Sequence, residues 1–305
     1  MPIPVSWSEN LKRFVEKSKA EGDGREFLGD APFAHFVLTD KADSWADFLK
    51  WTDELRGPWC FRGQKEAKWT LDTSLDRAVK REFPGGYDHV DREPEERELL
   101  VRFQQQAHQY VSQSPNSEDL SSWLALMQHH NVPTRLLDWT ESPYVAMFFA
   151  LEDKSDEGWS AAWAIDLAWI DEQSRDLRGD EERSLVDPGG RIGLLNGLLR
   201  HTEKPLIVRI KPPRVNDRMA AQQGLFLCKL YHRAAFSAIV TSMMMHPQIS
   251  RPVVRKLLVG ADLRLTFLKK LRAMNIHRAS LFPGLDGFGK SLKLDLEIKI
   301  GTSED

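Results

Sequence analysis

Two arginines stand where a charge is costly. Arg62 follows the apolar run Trp59-Cys60-Phe61, and Arg135 opens the run Leu136-Leu137. A charge at a buried strand must find a partner that offsets its desolvation. Guanidinium offers five donors in a planar fork, which suits carboxylates and phosphates. Two kinds of partner are open: Asp138 or Glu141 of the same stretch, or an external anion. The second draws on the residues just downstream. Ser142-Pro143 is a cap followed by proline at the first helical position. The free N–H groups and the dipole of such a helix end favour a phosphate. Thr140 and Ser142 add hydroxyls at the same place.

Other chemistry-bearing patterns are weaker. Gly284 to Ser291 satisfies the G-x-x-x-x-G-K-[ST] phosphate loop. A true one needs a strand before it and further parallel strands after it, and Pro283 and the short C-terminal remainder supply neither. A glycine-rich turn opening the last helix is the better expectation. His129 and His130 are adjacent, without the H-x-x-x-H or H-x-H spacing of a metal site, so no metal is expected. One imidazole is expected at a helix C-terminus, the other facing a site. No G-x-S-x-G elbow is present. Between Arg251 and Arg272 stand seven Lys/Arg and one acid, Asp262, among leucines. A solvated helix face is expected there, an anionic partner being the alternative.

The elements that would hold these residues can be read from periodicity and punctuation. Helices are expected over 7–18, from Ser44 to the stop at Gly57-Pro58, over 95–111, 119–130 and 143–152, and within 251–274 and 285–297. Strands are expected at 59–61, 134–138, 160–166, 206–210 and 224–228. Residues 84–92 read as a loop. Residues 171–190, with seven acids and three arginines, read as an exposed loop. Strands and helices alternate irregularly, which points to an α+β fold with a central mixed or antiparallel sheet flanked by helices.

Composition bounds the function classes. The 305 residues carry 42 Lys+Arg against 45 Asp+Glu, so charge alone does not make this a nucleic-acid-coating protein. A 41% hydrophobic fraction supports a large core. No run approaches the ~20 apolar residues of a membrane span, and the N-terminus lacks signal-peptide order. Cys60 and Cys228 form neither a metal spacing nor a disulfide framework. A cytoplasmic protein without a membrane partner is the expectation.

The residues Phe61-Arg62-Gly63-Gln64 and the block from Gln128-His129 through Pro133-Thr134-Arg135-Leu136-Leu137-Asp138-Trp139-Thr140 to Ser142-Pro143 together resemble the FRG domain family. A third block, Arg218 to Phe226, and a fourth, Leu281 to Gly287, are similar to later parts of that family, so the resemblance spans about 59–292. Residues 1–40 are expected as an N-terminal helical extension and 41–300 as one elaborated domain. The pattern also resembles, at a second level, the ADP-ribosyltransferase superfamily. In that fold one strand carries an arginine, a second carries Ser/Thr ahead of a helix, and a third carries a glutamate. Here the third position holds Gln222 and Gln223, which cannot supply negative charge beside a developing oxocarbenium ion.

That resemblance implies an enzyme that binds NAD as substrate and cleaves the nicotinamide–ribose bond. Arg62, Gly63, Gln64, Arg135, Thr140, Ser142 and Gln223 would hold the nucleotide. Arg62, His129, Asp138, Glu141 and Gln222 would act in catalysis, with Asp138 or Glu141 in place of the missing glutamate and His129 as general base. The acceptor would be a protein or nucleic acid, the setting a bacterial or phage conflict in which a toxin or defence effector meets a neutralising or regulatory protein. Two alternatives stay open: a non-enzymatic recognition module for a nucleotide or other anionic ligand, and a hydrolase or nuclease built on His129, Asp138 and Glu141.

Overall fold

The computed structural model describes residues 37–82, 91–111, 113–175, 196–197, 199–200, 204–212, 217–245 and 251–301. The helix expected over 7–18, most of the 84–92 loop and most of 171–190 lie outside them. In chain order the elements are β1 (Leu38–Ala42), α1 (Trp45–Glu54), β2 (Trp59–Gln64), α2 (Ser74–Glu82), α3 (Glu93–Ala107), α4 (Leu120–His129), β3 (Leu136–Thr140), α5 (Pro143–Leu151), β4 (Trp159–Asp166) and α6 (Leu167–Gln173). They continue with β5 (Ile207–Ile210), α7 (Asp217–Ala221), β6 (Gly224–Lys229), α8 (Phe236–Met244), β7 (Val254–Gly260), α9 (Arg264–Ala273), α10 (Arg278–Leu281) and α11 (Leu285–Gly301).

The strands form one mixed sheet in the order β1-β7-β4-β2-β3-β6-β5. Only β1 against β7 is parallel. The fold class is therefore α+β, as the irregular alternation implies. Both sheet faces are covered. Phe61, Ala162, Ala164, Leu257 and Val259 bury against α1, α5, α9 and α11. Cys60, Leu137, Trp139, Trp163, Ile165 and Leu227 bury on the opposite face with α6 and α8. On the α5 side of the β3-β6-β5 half, a third cluster joins Leu136, Val208, Ile210, Phe226 and Cys228 to residues of α3 and α4. Two-residue alternation along β4 is what splits its side chains between faces.

Pairing along the sheet is uneven. β2 and β4 share six residue pairs, from Trp59↔Asp166 to Gln64↔Ala161. β3 and β6 share five, from Leu136↔Cys228 to Thr140↔Gly224. β2 and β3 meet at one pair only, Phe61↔Thr140. The two strands thus diverge from that point, β2 towards Gln64 and β3 towards Leu136. The opening coincides with the break between the α5 group and the α3–α4 group of covering helices.

Helix α5 is the hinge pin of this arrangement. Val145, Ala146, Met147, Phe148, Ala150 and Leu151 are all buried, as expected of a helix apolar on every side. Ser142 caps it by accepting from the Val145 N–H at 3.3 Å. It crosses β2 at Gly63, where a Cβ would overlap the Ala146 carbonyl oxygen and the Ala150 nitrogen. The glycine of Phe61-Arg62-Gly63 is thus a packing requirement.

Several expectations are corrected. Residues 254–260, read as helix within 251–274, form the buried strand β7, because Val254, Val259 and the glycine end suit a strand between β1 and β4. Arg255 and Lys256 are accordingly buried rather than on a solvated helix face. Residues 171–173, read as the start of a loop, continue α6, which Asp166 caps through the Ala168 and Trp169 N–H groups. The strand expected at 134–138 lies two residues later. Elements β1, α2, α7, α8 and α10 and the first part of α6 are not among the expected elements. The Gly284–Ser291 stretch lies at and within the start of α11, without a preceding strand, so it is no phosphate loop.

One substitution tests the α5 contact. Gly63→Ala is expected to lower unfolding stability by about 3 kcal/mol, read by denaturant midpoint. An unchanged midpoint would mean that α5 does not press on β2 as described.

Candidate functional site

The divergence of β2 from β3 leaves backbone without ladder partners, and Arg62 occupies that place. Its Nη1 donates to the Asp138 carbonyl oxygen at 2.7 Å. Its Nε is buried without a hydrogen-bond partner. Among the described residues no carboxylate lies within ion-pair distance of it. Burial pushes its pKa down, the Asp138 charge opposes that shift, and Arg77 adds to it. Trp139, next to Thr140 on the neighbouring strand, is buried and its Nε1 also lacks an acceptor. Arg62 and Trp139 flank the Phe61↔Thr140 pair on the same sheet face, and each carries a buried donor without an acceptor.

Asp138 itself is exposed. Its Oδ2 accepts from Gln128 Nε2 of α4 at 2.8 Å. The other end of that amide accepts from the Thr134 hydroxyl at 2.7 Å, which sets its orientation. The Asp138 charge is felt by Arg62 from one side and by Arg218 of α7 from the other. Arg218 lies over the Phe282 ring at 4.4 Å, and Arg278 lies over the same ring at 3.8 Å. Arg278 is paired with Glu152, whereas Arg218 has no carboxylate within ion-pair distance among the described residues. Partial burial, then His130 and Arg218, lower the His129 pKa. At neutral pH its imidazole is therefore uncharged, the form a proton acceptor needs. The Asp138 charge thus acts on two arginines, neither of which has a carboxylate within ion-pair distance among the described residues.

The remaining expected site residues are arranged differently. Arg135 is buried in an ion pair with Glu96 of α3, Nε to Oε2 at 2.5 Å, and also donates to the Leu199 carbonyl. That matches the internal-partner option in kind, although the partner is Glu96 rather than Asp138 or Glu141. Gln64 is buried with its amide occupied at both ends, donating to Thr70 O and accepting from Trp163 Nε1. Thr140 donates to the Gln222 carbonyl at 2.7 Å and accepts from the Ser142 N–H. Gln222 donates to the Leu281 carbonyl. Gln223 is exposed with φ at 48°, and its carbonyl accepts from the Glu141 N–H. Glu141 pairs with Lys211. Gly63 packs under α5.

The opening thus brings together Arg62, Asp138 and, through Arg218, His129. Thr140, Ser142, Gln222 and Gln223 tie the closed end of the joint to α5 and α7. By strand alternation Arg62 leaves the sheet on the face opposite Thr140. Arg218, Arg77 and the Trp139 donor were not among the expected site residues. Arg218 does open the third family-like block, the one sequence signal for it. Among the described residues no cluster of His, Cys, Asp or Glu could hold a metal ion.

Residues 57–158, from the turn before β2 to the turn before β4, match the family model described as the FRG domain. Arg62, His129, Asp138 and Trp139 lie inside the matched span, and Arg218 lies outside it. No curated protein and no solved structure matches the chain.

A pair of substitutions separates the two arginines. Arg135→Met leaves Glu96 buried and unpaired, and should cost about 3 kcal/mol or more. The Glu96 carboxyl is held at about 2, where burial alone would raise it, because Arg135 and His232 outweigh desolvation. Its contribution is present above the unfolded value near ~4.3 and is lost as pH falls towards 2, so the loss in Arg135→Met should shrink in acid. Arg62→Met removes a desolvated charge that has no carboxylate partner among the described residues and should leave the melting temperature unchanged or higher. A large destabilisation in Arg62→Met would make Arg62 a structural residue.

Proposed function

We propose that the opening between β2 and β3 binds a phosphorylated ligand, with Arg62 as its anchor. The observation that carries this is the guanidinium itself: held by one backbone carbonyl, with a buried Nε that lacks an acceptor and, among the described residues, no carboxylate in range. A phosphate oxygen would supply the acceptor and the opposite charge at once, the bond type in which arginine is strongest. Trp139, on the same sheet face, carries a second buried N–H without an acceptor. Arg218, on which the Asp138 charge also acts, is the candidate for a second phosphate. NAD carries a diphosphate and is the nucleotide to which the ADP-ribosyltransferase resemblance points.

Ribosyl transfer from NAD has one further observation in its favour. Asp138 supplies a carboxylate at the opening, where Gln222 and Gln223 cannot. In that chemistry nicotinamide leaves with the bonding pair, Asp138 stabilises the positive ribosyl carbon, and an acceptor or water adds to it. His129, kept neutral by its surroundings, would take the proton. Recognition alone needs only the arginines and the indole.

Titration calorimetry with NAD, ADP-ribose and pyrophosphate tests the binding. Wild type should bind at least one of them, and Arg62→Ala should bind it at least tenfold more weakly. No binding by wild type, or equal binding by Arg62→Ala, would sink the proposal. Release of nicotinamide that Asp138→Asn abolishes would assign transfer, and binding without release would leave a recognition module.

A further inference from the structure

Asp138 takes part in the opening with two different oxygens. Its backbone carbonyl accepts from Arg62 Nη1 at 2.7 Å, and its carboxylate accepts from Gln128 Nε2 at 2.8 Å. Both groups belong to one residue, so covalent geometry keeps them within about 5 Å of each other. The Asp138 charge acts on Arg62, but the carboxylate and the guanidinium stand outside ion-pair distance. The nearest available counter-ion is thus left unused.

The group that holds the carboxylate is Gln128, in the last turn of α4. Its other contacts dictate which way the amide points. The Thr134 hydroxyl accepts from the Leu136 N–H at 3.2 Å, so its single proton goes to Gln128 Oε1 at 2.7 Å. The Ser74 hydroxyl accepts from the Thr134 N–H at 3.0 Å and lies 3.3 Å from the same Oε1. The NH2 end therefore faces Asp138, and a flipped amide would set oxygen against oxygen. Helix α2 secures the bracket, since the Leu75 N–H donates to the Thr134 carbonyl at 3.2 Å.

We infer that Gln128 is a positioning residue that keeps Arg62 available to a ligand by tethering the Asp138 carboxylate away from it. The inference rests on the reading of the opening as an anion site. An internal pair between Arg62 and Asp138 would give the guanidinium its acceptor and its counter-charge. An incoming phosphate would then have to displace a carboxylate. The tether costs stability, because the Arg62 Nε stays buried without an acceptor. The amide is suited to the task by its neutrality. A lysine or arginine in its place would hold the carboxylate too, but would cancel its charge.

Gln128→Met removes the tether without adding charge, and the Ser74 hydroxyl keeps the Thr134 carbonyl as an acceptor at 3.3 Å. Pyrophosphate binding to the full chain, read by titration calorimetry, should weaken about tenfold in this variant. Asp138→Asn should then raise the affinity about tenfold more in the Gln128→Met background than in wild type, because only there does the carboxylate occupy Arg62. A second comparison needs no ligand. Arg62→Met should lower the melting temperature by about 3 °C or more in the Gln128→Met background and not in wild type. If Gln128→Met does not fold, Gln128→Glu takes its place in both comparisons, since it keeps the acceptor for Thr134 and repels Asp138. Equal effects of Asp138→Asn, or of Arg62→Met, in the two backgrounds would overturn the inference. If wild type binds no anion, the reading of the opening fails, and the melting temperatures still decide whether Gln128 keeps the two charges apart.

Discussion

The structure turns on a single pair of facing residues. Phe61 and Thr140 are the one point where β2 and β3 share the ladder. From there the strands part, and a sheet that is continuous elsewhere opens between its two halves. Backbone groups freed in this way must find other partners. One of them, the Asp138 carbonyl, takes its hydrogen bond from a side chain, Arg62. The same divergence leaves Asp138 exposed between two blocks of covering helices. Position, charge and exposure of the candidate site therefore have one cause.

The densest part of the sequence divides cleanly once its hydrogen bonds are traced. Thr134, Arg135, Thr140 and Ser142 are buried, and their polar groups are satisfied within the chain. Gly63 admits α5, and Gln64 joins β2 to Thr70 and to Trp163. These residues brace the joint. What remains with unused bonding capacity is Arg62 and Trp139, with Arg218 carrying no carboxylate partner within ion-pair distance among the described residues and Asp138 exposed beside them. A motif that looks uniformly functional in sequence is mostly the frame that keeps one arginine half-buried and short of acceptors. An orphaned donor in such a place is costly, and a ligand that satisfies it gains what the fold forgoes.

Much of the fold was legible because periodicity and punctuation report local rules. Helix α1 with its Ser44 cap, helix α5 with its Ser-Pro start, and strands β4 and β6 lie within a residue or two of expectation. The failures share a cause. Val254–Gly260 carries apolar residues that fit helical and strand spacing alike, and only its place between β1 and β4 makes it a strand. Its Arg255 and Lys256 looked like a solvated face. In the sheet, Arg255 finds Asp40 and Glu54, and Lys256 lies over the Trp163 ring at 4.5 Å. Asp40 and Glu54 lie 215 and 201 positions away, and Trp163 is the register partner of Lys256 on β4, beyond the reach of any local pattern.

The site shows the same division. Residue types alone established that arginine stood beside buried strands and had to be compensated, because desolvating a charge is costly wherever it occurs. They also established the helix start at Ser142-Pro143 and excluded a working phosphate loop at Gly284. Which arginine is compensated internally was decided only by the tertiary structure. Glu96 of α3 reaches Arg135 across 39 positions of sequence, while no carboxylate of the described residues reaches Arg62. Strand register settles it. A pairing that ends after one residue pair cannot be read from either strand alone, since it depends on how the two strands and the helix packed on Gly63 come together.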